Sequence, residues 1–261
     1  MPSAGSILRN LLAHPLTRGV DLDDPRTTTL RRDIVRNKPF LKRIYDEWYA
    51  ALAADIPGGE GGVLELGSGA GFFDEVVAET ITSEIFLTAG IKVVLDGLHL
   101  PFSGRSLRAI VMTDVLHHLP DVRRFFGEAT RCVRPGGVVA MIEPWVSGWS
   151  RLIYTRLHHE PFRPDAKEWS FPATGPLSGA NGALPWIVFQ RDCAIFERDF
   201  PQWRIELIRP MMPLRYLVSG GVSMRSLIPV FAFAPLRGVE RAMGSAGAMF
   251  AHVVLRRMES R

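Results

Sequence analysis

The chain alternates between short apolar runs and longer stretches in which apolar side chains return every three to four positions. Leu41, Ile44, Tyr45, Trp48 and Leu52 share one face at helical spacing, which predicts a helix over 39–53. Ile56-Pro57-Gly58-Gly59 stops it. Val63 to Leu66 then reads as a strand ending in glycines, and Phe72 to Glu79 as a short helix. Ile91 to Leu95, Ala109 to Met112 and Val138 to Ile142 read as further apolar strands. Between the last two, Val122, Phe125, Phe126, Ala129 and Val133 line one side of a helix over 121–133, closed by Pro135-Gly136-Gly137. Phe189, Cys193, Phe196 and Phe200 predict a helix over 185–200. Trp203 to Ile208 and Met249 to Leu255 are the final strands, and the apolar segment 211–243 between them is expected to hold a helix that packs over the site.

Strands alternating with helices imply a parallel sheet with right-handed crossovers. The strands are continuous apolar runs rather than alternating ones, as expected when helices cover both faces. The fold class is therefore α/β, a parallel sheet with helices on both faces. Residues 1–38 are polar and turn-rich and read as an arm. Residues 144–184, rich in Trp, Pro, Gly, His and Ser, have little periodicity and read as an inserted lid.

Composition narrows the classes. With 261 residues, 47% hydrophobic and 22% charged, the chain has enough apolar material for a core, so disorder is excluded as its main state. One domain with insertions fits the length: an arm over 1–58, a core over 59–143, the lid over 144–184 and a closing part over 185–261. The run Leu227–Leu236 holds two prolines and is far too short for the roughly 20 residues of a membrane span. Only Cys132 and Cys193 exist, so no disulfide framework is expected, and both read as inert core thiols. The N-terminus, interrupted by Arg9 and His14, makes a poor secretory signal, and a cytoplasmic location is the default expectation. The net charge of +4 is unevenly spread: residues 61–145 carry 7 basic against 10 acidic side chains, residues 146–261 carry 15 against 9. The excess is scattered rather than striped, which argues against nucleic acid and leaves open an exposed surface or an anionic small molecule.

The sharpest chemical feature is Glu65-Leu-Gly67-Ser68-Gly69-Ala-Gly71, a buried strand running into three glycines at alternate positions. Glycine admits positive φ and close approach of a ligand. The dinucleotide fingerprint would need glycine where Phe72 stands, and a phosphate-cradling P-loop would need a lysine that is absent. The string resembles the first motif of class I S-adenosylmethionine-dependent methyltransferases. Val94-Leu-Asp96-Gly97-Leu98 with Leu100-Pro101-Phe102, then Ala109 to Pro120 (AIVMTDVLHHLP), then Arg131 to Ile142 (RCVRPGGVVAMI) resemble later motifs of that family in the same order. The resemblance covers residues 62–143. It implies a Rossmann-like, doubly wound, mostly parallel seven-stranded sheet with an antiparallel last strand, and S-adenosyl-L-methionine as cofactor. It implies cofactor contacts from Glu65, Gly67, Ser68, Gly69, Gly71, Asp96, Gly97, Leu98 and Asp114. The family's ribose-binding acid ends its second strand; here Glu84 is the candidate. It stands 13 residues after Gly71 and 12 before Asp96, too few for a helix plus a strand, so the second crossover is expected to be a loop.

Methyl transfer needs a general base only when the acceptor holds its proton tightly. His118, and His158 with His159 beside Glu160, are the candidate bases; structural packing or loop hydrogen bonding is the alternative for each. Asp114, His117 and His118 could converge on one helical turn, but no further ligands are evident, so no metal is expected. Trp145, Trp149, Trp169 and Trp186 either pack or line an acceptor pocket. Tyr45 and Trp48 either cap the cofactor from the N-terminal helix or form its core face, the reading favoured. Arg215 and Arg225 either meet an anionic substrate or lie exposed. The partner expected is a small-molecule acceptor, anionic, sugar-like or aromatic, methylated at oxygen; the Asn-Pro-Pro-Tyr motif of many nucleic-acid amino methyltransferases is absent after the fourth strand. A cofactor-binding module without transfer, and a nicotinamide-dependent oxidoreductase, remain as alternatives.

Overall fold

The computed structural model of the chain describes residues 14–15, 24–158, 160–172, 175 and 179–259. Two helices come first, α1 (Pro25–Asn37) and α2 (Pro39–Asp55). Asp24 caps α1 by accepting the Arg26 N–H at 2.9 Å. This helix falls inside the arm read as turn-rich. Its one buried edge, Thr27, Thr28, Ile34 and Val35, is too polar to show as an apolar stripe. Helix α2 buries the predicted face, Leu41, Ile44, Tyr45, Trp48 and Leu52, and adds Phe40 and Tyr49.

Seven strands follow: β1 (Gly62–Leu66), β2 (Thr80–Glu84), β3 (Val93–Val94), β4 (Leu107–Thr113), β5 (Val133–Pro144), β6 (Trp203–Met211) and β7 (Phe250–Arg257). They form one sheet in the order β3-β2-β1-β4-β5-β7-β6, with β3 to β5 parallel along the row and β7 antiparallel to both neighbours. The central strands are buried on both faces: Val63, Leu64, Ala109, Ile110, Val111, Met112, Val138 to Ile142 and Val253 to Leu255 are almost wholly inaccessible. This two-sided burial is why they read as unbroken apolar runs.

Several elements differ from the sequence reading. Phe72 to Glu79 holds a single 3₁₀ turn, Phe73–Glu75, rather than a helix. The run Ile91–Leu95 supplies only the two residues of β3, while β2 is the mixed-polarity Thr80–Glu84, bonded on both sides and therefore buried despite its threonines and serine. The crossover between β2 and β3 is a loop, as the short spacing implied. Strand β5 starts five residues early, its first part pairing Leu107 with Val133. The region after β5 is not wholly irregular: Ser147 and Ser150 form a reciprocal capping box that opens α4 (Gly148–Leu157).

Helix α3 (Val122–Cys132) is capped by Asp121 and buries Val122, Phe125, Phe126, Ala129 and Cys132. The predicted helix over 185–200 is three pieces: α5 (Leu184–Trp186), a π-helical turn (Ile187–Arg191) and α6 (Cys193–Asp199). The Asp192 N–H closes the π turn onto the Ile187 carbonyl, and the Asp192 carboxylate takes the Trp169 indole N–H at 2.9 Å. Segment 211–243 holds two helices, α7 (Arg215–Ser219) and α8 (Phe233–Met243). Among the described residues, no helix is long and apolar enough to cross a membrane.

Candidate functional site

Chain direction and strand order fix where ligands can sit. Between β1 and β4 the order of the sheet reverses, and the loops leaving their carboxyl ends diverge to leave a crevice. A cavity of about 800 Å³ opens there. Glu65, Gly67, Ser68, Gly69 and Gly71 line it from β1 and its turn, and Glu84 from the end of β2. Asp96, Gly97 and Leu98 follow β3, Asp114 and His118 follow β4, and His158 follows α4. Every described residue singled out from the sequence as cofactor contact or base thus lines one cavity. His159 lies outside the described residues.

The turn after β1 is held by small polar groups. The Ser68 N–H donates to the Ser83 carbonyl at 2.8 Å, and the Ser83 N–H donates to the Ser68 hydroxyl at 3.1 Å. Both hydroxyls donate to the Glu65 carbonyl. These bonds tie the glycine turn to β2 and bring the Glu84 carboxylate back over Gly69. A Cβ on Gly69, whose φ is +31°, would stand 2.9 Å from Glu84 Oε1. A Cβ on Gly71 would stand 2.1 Å from the Tyr49 hydroxyl. Glu65 is buried, and its Oε2 has no hydrogen-bond partner. Burial pushes its carboxyl pKa up to about 8. Burial raises the Glu84 carboxyl too. Asp96 is half-open: Oδ1 accepts the Leu98 N–H at 2.8 Å and Oδ2 pairs with His99 Nδ1 at 2.8 Å.

Beyond the loop after β4, a 3₁₀ turn (Leu116–His118) presents two histidines. Glu143, at the end of β5 and wholly buried, organises this turn. Its Oε1 accepts the Val115 and Leu116 N–H groups at 2.8 and 2.7 Å, and its Oε2 meets His117 Nδ1 at 2.8 Å. Burial works against charge on His117, but the hydrogen bond to Glu143 and the facing Glu160 carboxylate outweigh it and lift its pKa well above the ordinary value. His118 goes the other way. Burial, then the neighbouring His117, push its pKa down to about 3. It is neutral near pH 7 and a weak proton acceptor, which argues against the general-base role expected of it. Asp114, at φ +64°, is raised to about 6 by burial.

Sequence reasoning missed part of the opposite wall. Thr28 and Arg31 of α1, Tyr49 of α2, Arg124 of α3, and Ile153 and Tyr154 of α4 face the cavity. No local motif marks these residues, because the docking of distant helices brings them there. Tyr45 serves both core and wall, and the stretch from Gly220 to Arg225 faces the cavity within the segment expected to pack over the site. Glu143 left one signal, an acid ending an apolar strand. The four tryptophans pack instead of lining the cavity: Trp145 and Trp169 are buried, Trp186 is half-buried against the core, and Trp149 donates to the Pro213 carbonyl at 2.9 Å. Arg215 is neither exposed nor on the cavity. It is buried, bonding Glu240 and, at 2.8 Å, Glu47. Cys132 is buried and Cys193 half-buried, with both thiols raised by burial, as inert thiols would be.

Known proteins resemble the chain in fold and in part of its sequence. Residues 64–141 match the family model described as a methyltransferase domain. An uncharacterised methyltransferase of Mycobacterium sp. (strain JLS) is 30% identical over 112 residues, which cover 38% of this chain and 44% of the relative, so the match spans under half of that relative's length. The solved geranyl diphosphate C-methyltransferase of Streptomyces coelicolor A3(2), in complex with Mg2+, geranyl diphosphate and S-adenosyl-L-homocysteine, superposes with a TM-score of 0.50 at 13% identity. That superposition covers 95% of this chain and 90% of the other. The cyclase SpnF gives a TM-score of 0.50 at 12% identity, covering 82% and 81%.

Proposed function

We propose that this chain, whose residues 64–141 match the model of a methyltransferase domain and whose fold is that of class I methyltransferases, moves a methyl group from S-adenosyl-L-methionine to an oxygen of a small or medium-sized acceptor. The observation that carries the reading is the buried Glu65 carboxylate, with one oxygen unpartnered, beside a glycine turn with no room for a side chain. A buried carboxylate of this kind is costly unless a cation meets it. The ammonium group of the cofactor is such a cation, and no phosphate has to be held. Glu84 is the candidate for the ribose hydroxyls and Asp96 for the adenine amino group, with Gly97, Leu98 and Asp114 alongside.

When bound, the cofactor supplies an electrophilic methyl on a sulfonium. The protein's part is alignment, exclusion of water and handling of the acceptor's proton. His158 is the base this reading favours. It faces the cavity; its Nδ1 accepts the Glu160 N–H at 3.3 Å, and Glu160 Oε2, 3.7 Å away, is placed to stabilise the ring once it has taken a proton. The expected result for His158→Asn is a fall in kcat of about 10²–10³-fold with KM changed only a few-fold. An equal loss through KM alone makes His158 a binding residue and overturns its role as base. Arg31, Arg124 and Arg225 on the wall, with Leu217, Leu227 and Met249, favour an amphiphilic acceptor with an anionic end.

The first test is isothermal titration with S-adenosylmethionine and S-adenosylhomocysteine. Failure of both to bind below millimolar concentration sinks the reading. The Glu65 carboxyl also sets a pH dependence. In the free protein it is protonated below about pH 8. Pairing with an ammonium requires it ionised, so affinity should rise with pH from about 6 to about 8, with release of up to one proton. Titration in buffers of different ionisation heat measures that proton, and Glu65→Gln should abolish both effects. A second reading, the same cofactor site serving a reaction other than methyl transfer, is suggested by the likeness to the cyclase. Cofactor binding without transfer to any acceptor in a broad panel would favour it.

A further inference from the structure

We propose that His117, His118 and Glu160 hold a divalent transition-metal ion in the wall of the cavity. The argument is one of lone pairs. His117 Nδ1 meets the Glu143 carboxylate at 2.8 Å, and a carboxylate only accepts, so Nδ1 carries the hydrogen. In the neutral ring the Nε2 lone pair is then left over. That atom is fully buried and has no hydrogen-bond partner, with Glu160 Oε2 facing it at 3.4 Å. His118 repeats the pattern. Its Nδ1 meets the Gly179 carbonyl at 3.2 Å and must donate, so its Nε2 lone pair faces Glu160 Oε1 at 3.8 Å. Two imidazole lone pairs and a carboxylate therefore point at one another. A single proton on His117 satisfies one of these two contacts; one dication satisfies all three groups.

The surroundings fit a metal ligand set. Histidine ligands characteristically give their second ring nitrogen to a carboxylate or a backbone carbonyl, which fixes tautomer and orientation. Here Glu143 does this for His117 and Gly179 for His118. Glu143 is itself pinned by two backbone N–H groups, so it orients His117 and has no oxygen to spare for an ion. The ligand atoms lie within 4.8 Å of one another. Closing them onto one ion at about 2.0–2.2 Å requires movements on the order of an ångström. Two imidazoles and one carboxylate select zinc, iron(II) or a similar ion over magnesium or calcium, which prefer oxygen. Glu160 and His118 line the cavity, so the remaining coordination positions face it and are open to water or an acceptor oxygen. Binding of the ion is independent of the methyl-transfer reading; only its use in activating an acceptor hydroxyl rests on that reading.

The experiment strips the full chain with a chelator, titrates Zn2+ against a chromophoric competitor and records visible absorbance on adding Co2+. The result expected is one equivalent bound at sub-micromolar Kd, with cobalt d–d bands from a site of mixed nitrogen and oxygen ligands. His118→Ala and Glu160→Gln should each weaken binding by about 100-fold or more, and Glu143→Gln by about 10–100-fold. Uptake below about a tenth of an equivalent, or uptake unchanged in both ligand variants, overturns the proposal. A thermal melt of the same samples serves as the folding control. S-adenosylhomocysteine titration of the parent protein separates the two readings: metal uptake without nucleoside binding keeps this one and removes the other, and the converse removes this one.

Discussion

A Gly69→Val protein binds S-adenosylhomocysteine at least about 100-fold more weakly than the parent, a loss of about 2.8 kcal/mol. Three effects of this substitution act together. The φ of +31° at Gly69 is one that a β-branched side chain tolerates poorly. Its Cβ would lie 2.9 Å from Glu84 Oε1, displacing the acid that is the ribose candidate. The side chain would also occupy the floor of the cavity, where ligand and backbone have to approach closely. The turn is tied to β2 through Ser68 and Ser83 on either side, so it has little freedom to relax. Calorimetry reads the affinity, and a thermal melt checks that the sheet survives. A loss under about fivefold with an intact melt would show that the glycine turn does not cradle the ligand.

The second large effect concerns stability. Phe126→Ala is expected to cost about 3–5 kcal/mol. Phe126 is wholly buried on α3, with its ring 5.0 Å from Phe196, 5.1 Å from Phe125, 5.5 Å from Phe200 and 6.0 Å from Phe189 and Trp203. It joins α3, the π turn, α6 and the start of β6 in one cluster. Truncation leaves a cavity that five rigid rings cannot close. The residue does not line the ligand cavity, so affinity for S-adenosylhomocysteine should stay within about twofold once the protein is folded. Denaturant midpoints measure the stability change. A cost under about 1.5 kcal/mol would mean that the cluster repacks.

How far the sequence reached depended on whether a signal was local. The strands β1, β4 and β5 and the helices α2 and α3 were legible because burial on a sheet face or helix stripe imposes a period that side chains display directly. The strand β2 was not, because Thr80, Thr82 and Ser83 are buried through hydrogen bonding rather than apolar character. Helix α1 was hidden for a similar reason: its buried edge includes two threonines, and its stability comes from the Asp24 cap and from packing on the rest of the fold. The break in the 185–200 helix depends on a π turn that leaves hydrophobic spacing nearly intact.

The same division runs through the site. Motif, spacing and resemblance were enough to single out the glycine turn, Glu65, Glu84 and Asp96, which line one cavity, because the backbone conformation after a parallel strand is set within a few residues. Spacing was also enough to predict a loop rather than a helix between β2 and β3, since chain length alone forbids a helix there. Only the tertiary structure decided the state of the histidines. His117 and His118 are adjacent in sequence, yet Glu143 from β5 and Glu160 from beyond α4 raise the pKa of one, while burial and its charged neighbour lower that of the other. The state of His117 thus follows from carboxylates 26 and more residues away, which the tertiary packing of β5 and of the segment beyond α4 brings beside it.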